Sequence, residues 1–269
     1  MTEKALYKKP RIFAVANQKG GVGKTTTAVN LATALAAVGK KVLIVDIDPQ
    51  GNATTSVGVD KKSAPRNAYQ VLMGAERASS AVIWTKIPNL SVIASGKTLL
   101  GVDLELADVE EPQFYLKRAF EADPVPYDYV IIDCPPTVGM LTINALVAAD
   151  AVLIPIQCEY LALEGVADLM KTVERVRKNF NPALTVQGIV LTMFDARNNL
   201  SDMVAGDVRG FFGETVYKTV IPRNVRVSEA PSHGKPILLY DLRSNGAKAY
   251  IDLAKEFLKR EKRLKNECK

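Results

Sequence analysis

Lys24 and Thr25 follow a loop with three glycines in four positions, Gly20, Gly21 and Gly23. Glycine reaches backbone conformations closed to other residues, so consecutive N–H groups in such a loop can turn inward around an anion. A lysine at the end of that loop can meet the β- and γ-phosphates of a nucleotide, and the hydroxyl beside it can ligate Mg²⁺. Three aspartates extend this chemistry. Asp133 ends the apolar run Tyr129-Val130-Ile131-Ile132, where an acid can hold the magnesium ion directly or through a water. Asp46 and Asp48 close a second apolar run and, being two apart, point to one side. One such acid can orient an attacking water. Together these residues predict a site for a magnesium nucleoside triphosphate.

Positioning them takes a strand that delivers the loop and a helix that receives it. Ile12 to Ala16 reads as a short buried strand. After the loop, Ala28, Leu31, Ala32, Leu35 and Val38 recur at three- and four-residue spacing, which predicts a helix whose positive end faces the loop. Further strands are predicted at Lys41 to Asp48, Leu90 to Ala94, Val130 to Asp133, Ala151 to Gln157, Gly188 to Met193 and Val216 to Ile221. Helices are predicted near Tyr69 to Met73, Leu99 to Leu106, Pro112 to Glu121, Thr142 to Ala148, Leu163 to Asn179 and Met203 to Phe212, with residues 49–66 as loop. Nearly continuous apolar strands alternating with amphipathic helices indicate an α/β fold. Its sheet is doubly wound and mostly parallel, with helices on both faces and the ligand at the carboxyl ends of the strands. The expected organisation is an N-terminal tail over residues 1–10, one domain over 11–258, and a charged tail over 259–269 in which the last helix frays.

The chain has 269 residues, 48% of them hydrophobic and 24% charged, which suits a globular protein and excludes a disordered one. No apolar run approaches the ~20 residues that span a bilayer. The polar stretch Met1 to Pro10 lacks the apolar centre of a signal peptide. Cys134, Cys158 and Cys268 are widely spaced and odd in number, so neither a disulfide framework nor a metal knuckle is indicated. A cytoplasmic protein is expected. The net charge of +6 suits an anionic partner without naming one.

The general phosphate-loop pattern has a glycine five residues before Gly23, where this chain has Gln18. Instead the loop reads Lys19-Gly20-Gly21-Val22-Gly23-Lys24-Thr25, with a second lysine at its entrance. It resembles the deviant Walker A motif of the ParA/MinD class of P-loop ATPases. Beyond the loop, Asp48-Pro49-Gln50-Gly51-Asn52-Ala53-Thr54, Asp133-Cys134-Pro135-Pro136, Gln157-Cys158-Glu159-Tyr160, Leu191-Thr192-Met193-Phe194-Asp195, Ile221-Pro222-Arg223-Asn224-Val225-Arg226 and Glu229-Ala230-Pro231-Ser232-His233-Gly234-Lys235-Pro236 resemble chromosomal ParA/Soj sequence. The likeness covers roughly Arg11 to Leu258.

That resemblance implies an ATPase with ATP and Mg²⁺. The residues from Lys19 through Thr26 (Gly20, Gly21, Val22, Gly23, Lys24 and Thr25 between them) would hold the phosphates, and Pro222 and Asn224 would lie against adenine. Thr25, Asp46 and Asp133 would serve the metal. Asp48 would act in hydrolysis, and Lys19 would cross a homodimer interface to the partner's nucleotide. The single histidine, His233, would order its loop. Non-specific double-stranded DNA would meet Arg197, Arg223, Arg226, Arg243 and Lys248, since phosphate neutralisation needs only clustered cations. A ParB-like centromere-binding protein would stimulate hydrolysis and release the nucleoid-associated dimer. Two rivals share the loop. A MinD-like membrane switch needs a C-terminal helix with a broad apolar face, and Lys259 to Lys269 offers only Leu264, so no stable membrane anchor is expected. A member like the nitrogenase iron protein needs cysteines placed to hold a cluster between subunits.

Overall fold

Alternation along the first strand, β1 (Arg11–Val15), sets the architecture. Ile12, Ala14 and, just beyond it, Ala16 enter one hydrophobic core, whereas Phe13 and Val15 enter a second core on the opposite face. The structure, a computed structural model, describes residues 9–62, 64–160 and 162–267. Of the tail expected over residues 1–10, the first eight residues lie outside that set.

Seven more strands follow: β2 (Val42–Asp46), β3 (Val82–Trp84), β4 (Leu90–Ile93), β5 (Tyr129–Asp133), β6 (Ala151–Gln157), β7 (Thr185–Phe194) and β8 (Val216–Pro222). They form one sheet in the order β3-β4-β2-β5-β1-β6-β7-β8. Only the β3–β4 pairing is antiparallel. From β1 the chain crosses to β2 on one side, and it later passes back over β1 from β5 to reach β6. The loop after β1 therefore sits where the winding reverses, the place at which open α/β sheets bind ligands.

The helices are α1 (Lys24–Ala37), α2 (Asn52–Ser56), α3 (Ala68–Leu72), α4 (Val102–Glu105), α5 (Tyr115–Ala122), α6 (Met140–Ala148), α7 (Ala162–Asn179), α8 (Asn199–Phe212), α9 (Val225–Glu229), α10 (Ile237–Tyr240) and α11 (Asn245–Glu267). Side chains of α3 to α8 build the core on the Ile12 face. Those of α1, α2, α10 and α11 build the core on the Phe13 face. The arrangement is a doubly wound α/β fold with helices on both faces of a mostly parallel sheet.

The structure corrects four expectations. Residues 49–66 are not all loop, because α2 forms there behind Gly51, whose left-handed φ of 66° turns the chain into it. Val38, counted with the apolar stripe of α1, is instead the helix C-cap and is exposed, whereas the small side chains from Ala28 to Ala36 are buried all round. Strand β3 lacked a sequence signal because it is three residues long.

The fourth correction concerns the charged tail. Residues 259–267 do not fray but continue α11. Glu256 of α11 accepts hydrogen bonds from the Lys218 and Thr219 amides (2.9 Å each) and the Thr219 hydroxyl (2.8 Å). Arg260 donates to the Thr215 and Val216 carbonyls (3.2 and 2.9 Å) and lies 3.9 Å over the Tyr217 ring. These contacts cover β8, the last strand of the sheet, which would otherwise leave an open edge. Charged residues thus continue the helix by serving the sheet.

Candidate active site

The loop from Lys19 to Gly23 is built by three local devices. Gly21 and Gly23 take left-handed φ values of 76° and 86°, where a side chain would be strained. Asn17, buried at the end of β1, donates from Nδ2 to the Pro155 carbonyl (2.7 Å) and accepts the Lys19 amide (3.0 Å), fixing the loop's entry to β6. The Thr192 hydroxyl, at the end of β7, lies 2.8 Å from the Val22 carbonyl and 3.0 Å from the Ile156 carbonyl, tying the loop's exit to the same sheet edge. Helix α1 then starts at Lys24 with no side-chain cap and no acid in its first turn. Its first amides are left to an outside acceptor, beside a helix terminus that favours negative charge.

A cavity of about 500 Å³ opens over this loop. Gly20, Gly21, Gly23, Lys24, Thr25, Thr26 and Asp48 line one end, and Pro222, Arg223, Asn224, Val227, Ser228, Pro231 and Tyr250 line the other. Of the residues expected to hold nucleotide, Val22 is buried and faces away, engaging Thr192 through its carbonyl. Lys19 also lies off the cavity wall, its ammonium paired with Glu159. Asn224 uses its side-chain oxygen to cap α9 at the Val227 amide. His233 stacks on Tyr240 with ring centroids 4.9 Å apart, a loop contact away from the reacting end.

Lys24 is 7% exposed, and its ammonium donates to the Lys19 carbonyl at 2.8 Å. Burial pulls its pKa below the ordinary lysine value, against the opposing charges of Asp133 and Asp48. Asp133 is fully buried at the end of β5, and among the described residues neither carboxylate oxygen has a hydrogen-bond partner of good geometry, the Thr25 hydroxyl lying close by. Burial, then the nearby Asp46 charge, drives its pKa well above the usual carboxylate range, with Thr25 and Lys24 pulling the other way. An orphaned, fully buried carboxylate beside a hydroxyl and an ammonium fits a divalent cation that the protein alone does not replace. Thr25 and Asp133 are the residues that can hold it.

Asp46 has a different place. Its carboxylate accepts the Thr54 amide (2.8 Å), the Thr54 hydroxyl (2.7 Å) and the Asp48 amide (3.3 Å), and it does not line the cavity. It therefore fixes the turn that carries Asp48. Burial raises its pKa to about 6. Asp48 lies just past β2, where its Oδ1 accepts the Gln50 amide (2.9 Å) and its carbonyl accepts the Ser95 hydroxyl. Lys61 donates to the Gln50 carbonyl at 2.5 Å, bracing the same turn from outside.

The basic residues fall into two groups. Arg197, 88% exposed, makes a two-pronged pair with Asp195 at 3.0 and 2.9 Å. Those hydrogen bonds, with Arg223 adding its charge, hold the Asp195 carboxyl down to about 2. Arg226 pairs with Glu229 (3.0 Å) and Asp241 (3.8 Å), and the Arg243 amide also reaches Asp241. Lys248 is exposed on α11. Arg223 departs from its expected surface role by also lining the nucleotide-sized cavity. Cys134 and Cys158 are buried free thiols, and no cluster of three or more His, Cys, Asp or Glu side chains is placed to hold a metal among the described residues. Cys268 lies outside them.

Thr192, Ser228 and Tyr250 line the site without having been singled out from the sequence. A polar residue ending an apolar strand at the ligand edge was a usable signal for Thr192. Tyr250 had none, since it reaches the site from a helix 223 positions beyond its partner Thr27.

Comparison with known proteins places this geometry. An AAA domain profile matches residues 10–186. The chain is 54% identical over 254 residues to the chromosome partitioning protein ParA of Caulobacter vibrioides, covering 94% of this chain and 95% of that one. It is likewise 54% identical to the sporulation initiation inhibitor protein Soj of Bacillus subtilis, covering 91% and 97%. Among solved structures, cobyrinic acid a,c-diamide synthase from Mycobacterium smegmatis with bound ADP and magnesium superposes with a TM-score of 0.82 at 36% identity, covering 94% and 96%.

Proposed function

The chain belongs to the ParA/Soj family of chromosome-partitioning ATPases, and from that premise we propose how its residues run an ATP-driven partitioning cycle. Its ATP and Mg²⁺ would occupy the cavity over Gly20 to Thr26, with the base toward Pro222 and Asn224. The single observation that carries this reading is the buried, partnerless Asp133 carboxylate beside the loop that presents Lys24 and Thr25.

Lys24 exchanges the Lys19 carbonyl for the β- and γ-phosphates, a better partner for an ammonium held in a buried site. The uncapped α1 amides and the left-handed glycines hold the remaining phosphate oxygens. Thr25 and Asp133 would hold magnesium, which would supply charge neutralisation for phosphoryl transfer. Asp48, braced by Gln50 and Ser95, orients the attacking water. Asp46 keeps that turn in place. Lys19, near the loop's rim, reaches across a homodimer formed on ATP.

The dimer binds double-stranded DNA without sequence preference through Arg197, Arg226, Arg243 and Lys248, and a ParB-like protein at a centromere site stimulates hydrolysis to release it. The cycle runs in the cytoplasm on the nucleoid. A MinD-like membrane role is disfavoured because α11 buries Ala247, Tyr250, Leu253, Ala254 and Phe257 in the core and leaves Leu264 as its one exposed large apolar residue among the described residues. No helix among the described residues is long and apolar enough to cross a membrane. The test is co-sedimentation with DNA and with liposomes, under ATP, ADP and no nucleotide, with and without a ParB-like protein. Binding to DNA only with ATP, reversed by the partner, is the expected result; ATP-dependent liposome binding without DNA binding would overturn it.

A further inference from the structure

All three polar groups of Lys19 are engaged within its own chain. Its amide donates to Asn17 Oδ1 at 3.0 Å, its carbonyl accepts the Lys24 ammonium at 2.8 Å, and its own ammonium pairs with Glu159. Both side-chain anchors lead back to one strand. Asn17 is fixed by the Pro155 carbonyl within β6, and Glu159 lies two residues beyond the end of β6. The Lys19 and Glu159 side chains are 39% and 34% exposed, at the rim of the site.

We propose that Glu159 is a positioning residue that holds Lys19 in cis, so that release of this pair sets how tightly the chain dimerises on ATP. The inference rests on the reading of Lys19 as the lysine that reaches the partner's nucleotide. To do so its ammonium must leave Glu159, which opposes closure. The carboxylate left behind adds like-sign repulsion toward an incoming polyphosphate. Nucleotide loosens the arrangement from the other side. When Lys24 turns to phosphate, the Lys19 carbonyl loses its donor, and the loop's entrance is held by Asn17 and Glu159 alone. Binding of nucleotide and readiness to dimerise are thereby coupled through one residue.

A partly exposed ion pair of this kind changes an equilibrium by roughly two- to fivefold. The experiment uses the full chain with Mg²⁺ and a non-hydrolysable ATP analogue. Sedimentation velocity gives the dimer dissociation constant, and amine acylation read by mass spectrometry gives the reactivity of Lys19 in the nucleotide-free monomer. Glu159→Gln is expected to acylate faster at Lys19 and to dimerise roughly two- to fivefold more tightly than wild type. The gap should narrow between about 0.1 and 1 M salt, as the Debye length falls from about 10 to about 3 Å. Glu159→Asp should stay near wild type in both readouts. Unchanged acylation in Glu159→Gln overturns the pairing; faster acylation with equal or weaker dimerisation overturns the restraint. Lys19→Ala tests the underlying reading separately. If it dimerises like wild type, the lysine does not act in trans, whatever the acylation rates report about Glu159.

Discussion

Asp46 and Asp133 stand directly opposite each other on the adjacent parallel strands β2 and β5. Both are fully buried, which raises both pKa values; the Asp46 charge raises that of Asp133 further, and Asp48 adds to both. The folded, metal-free chain therefore holds protons on this pair that the unfolded chain has already released. Stability contributed by protonation is complete below the unfolded value near 3.8 and is lost as pH rises through about 6 for Asp46 and through the raised value of Asp133. In EDTA at pH 8, Asp133→Asn should melt higher than wild type by at least about 2–4 °C, the shift that about 1 kcal/mol makes in a domain of this size. The gap should close toward pH 4. Differential scanning calorimetry across that range decides it, and a variant that melts lower at pH 8 refutes the account.

Lys24→Ala should lose nucleotide binding by about 100-fold or more, since among the described residues no other cation lines the phosphate end of the cavity and a charge-assisted contact of about 3 kcal/mol disappears. Titration calorimetry with ATP and Mg²⁺ measures it. Wild-type affinity in this variant would move the phosphate site elsewhere.

Asp48→Ala should bind magnesium ATP nearly as wild type does and hydrolyse it at least about 100-fold more slowly, because orientation of water acts on the reaction step alone. On the proposed reading, binding rests on the loop amides and Lys24, which this change leaves in place. The comparison to make is single-turnover phosphate release against nucleotide affinity. A parallel fall in both would mean that the turn at Gln50 to Gly51 has collapsed.

Arg197→Glu and Arg226→Glu should weaken DNA binding with nucleotide binding intact. Arg197 is already paired with Asp195, so a DNA phosphate must displace that carboxylate. Asp195→Asn should consequently tighten DNA binding, while removal of either arginine flattens the logarithmic salt dependence by about one. Fluorescence anisotropy on unrelated duplexes at several salt concentrations reads both effects. Equal slopes for wild type and the charge reversals would exclude these residues from the DNA face.

Arg260→Ala should destabilise the fold by about 2 kcal/mol, because the Thr215 and Val216 carbonyls lose a charged donor and the Tyr217 ring loses its cation. Urea denaturation monitored by circular dichroism gives the value. No loss of stability would show that α11 does not close the β8 edge.

The central strands and the phosphate loop were legible because their signals are local. An unbroken apolar run such as Val130 to Ile132 identifies a doubly buried strand, and glycines before Lys24 and Thr25 can be read within one turn. What escaped depends on partners distant in the chain. Nothing near Glu261 announces that charge here continues a helix, since the reason lies in Glu256 and Arg260 meeting β8 some 40 residues earlier. Nothing local to Asp46 announces that its Oδ2 takes both the amide and the hydroxyl of Thr54 while its Oδ1 takes the Asp48 amide. The pairing of Lys19 with Glu159 was likewise invisible, joining two loops that only the β1–β6 neighbourhood brings together.

Helix α11 also fixes a sequence of events. Tyr250 meets Thr27 across 223 positions, so α1, which begins with Lys24 and Thr25, completes its packing only when α11 arrives. Loop residues that have already folded still lack Tyr250 on the cavity wall until then. Such distant closure is slow relative to local folding. A chain cut before Asn245 would therefore keep every residue of the phosphate loop and still lack part of the cavity wall.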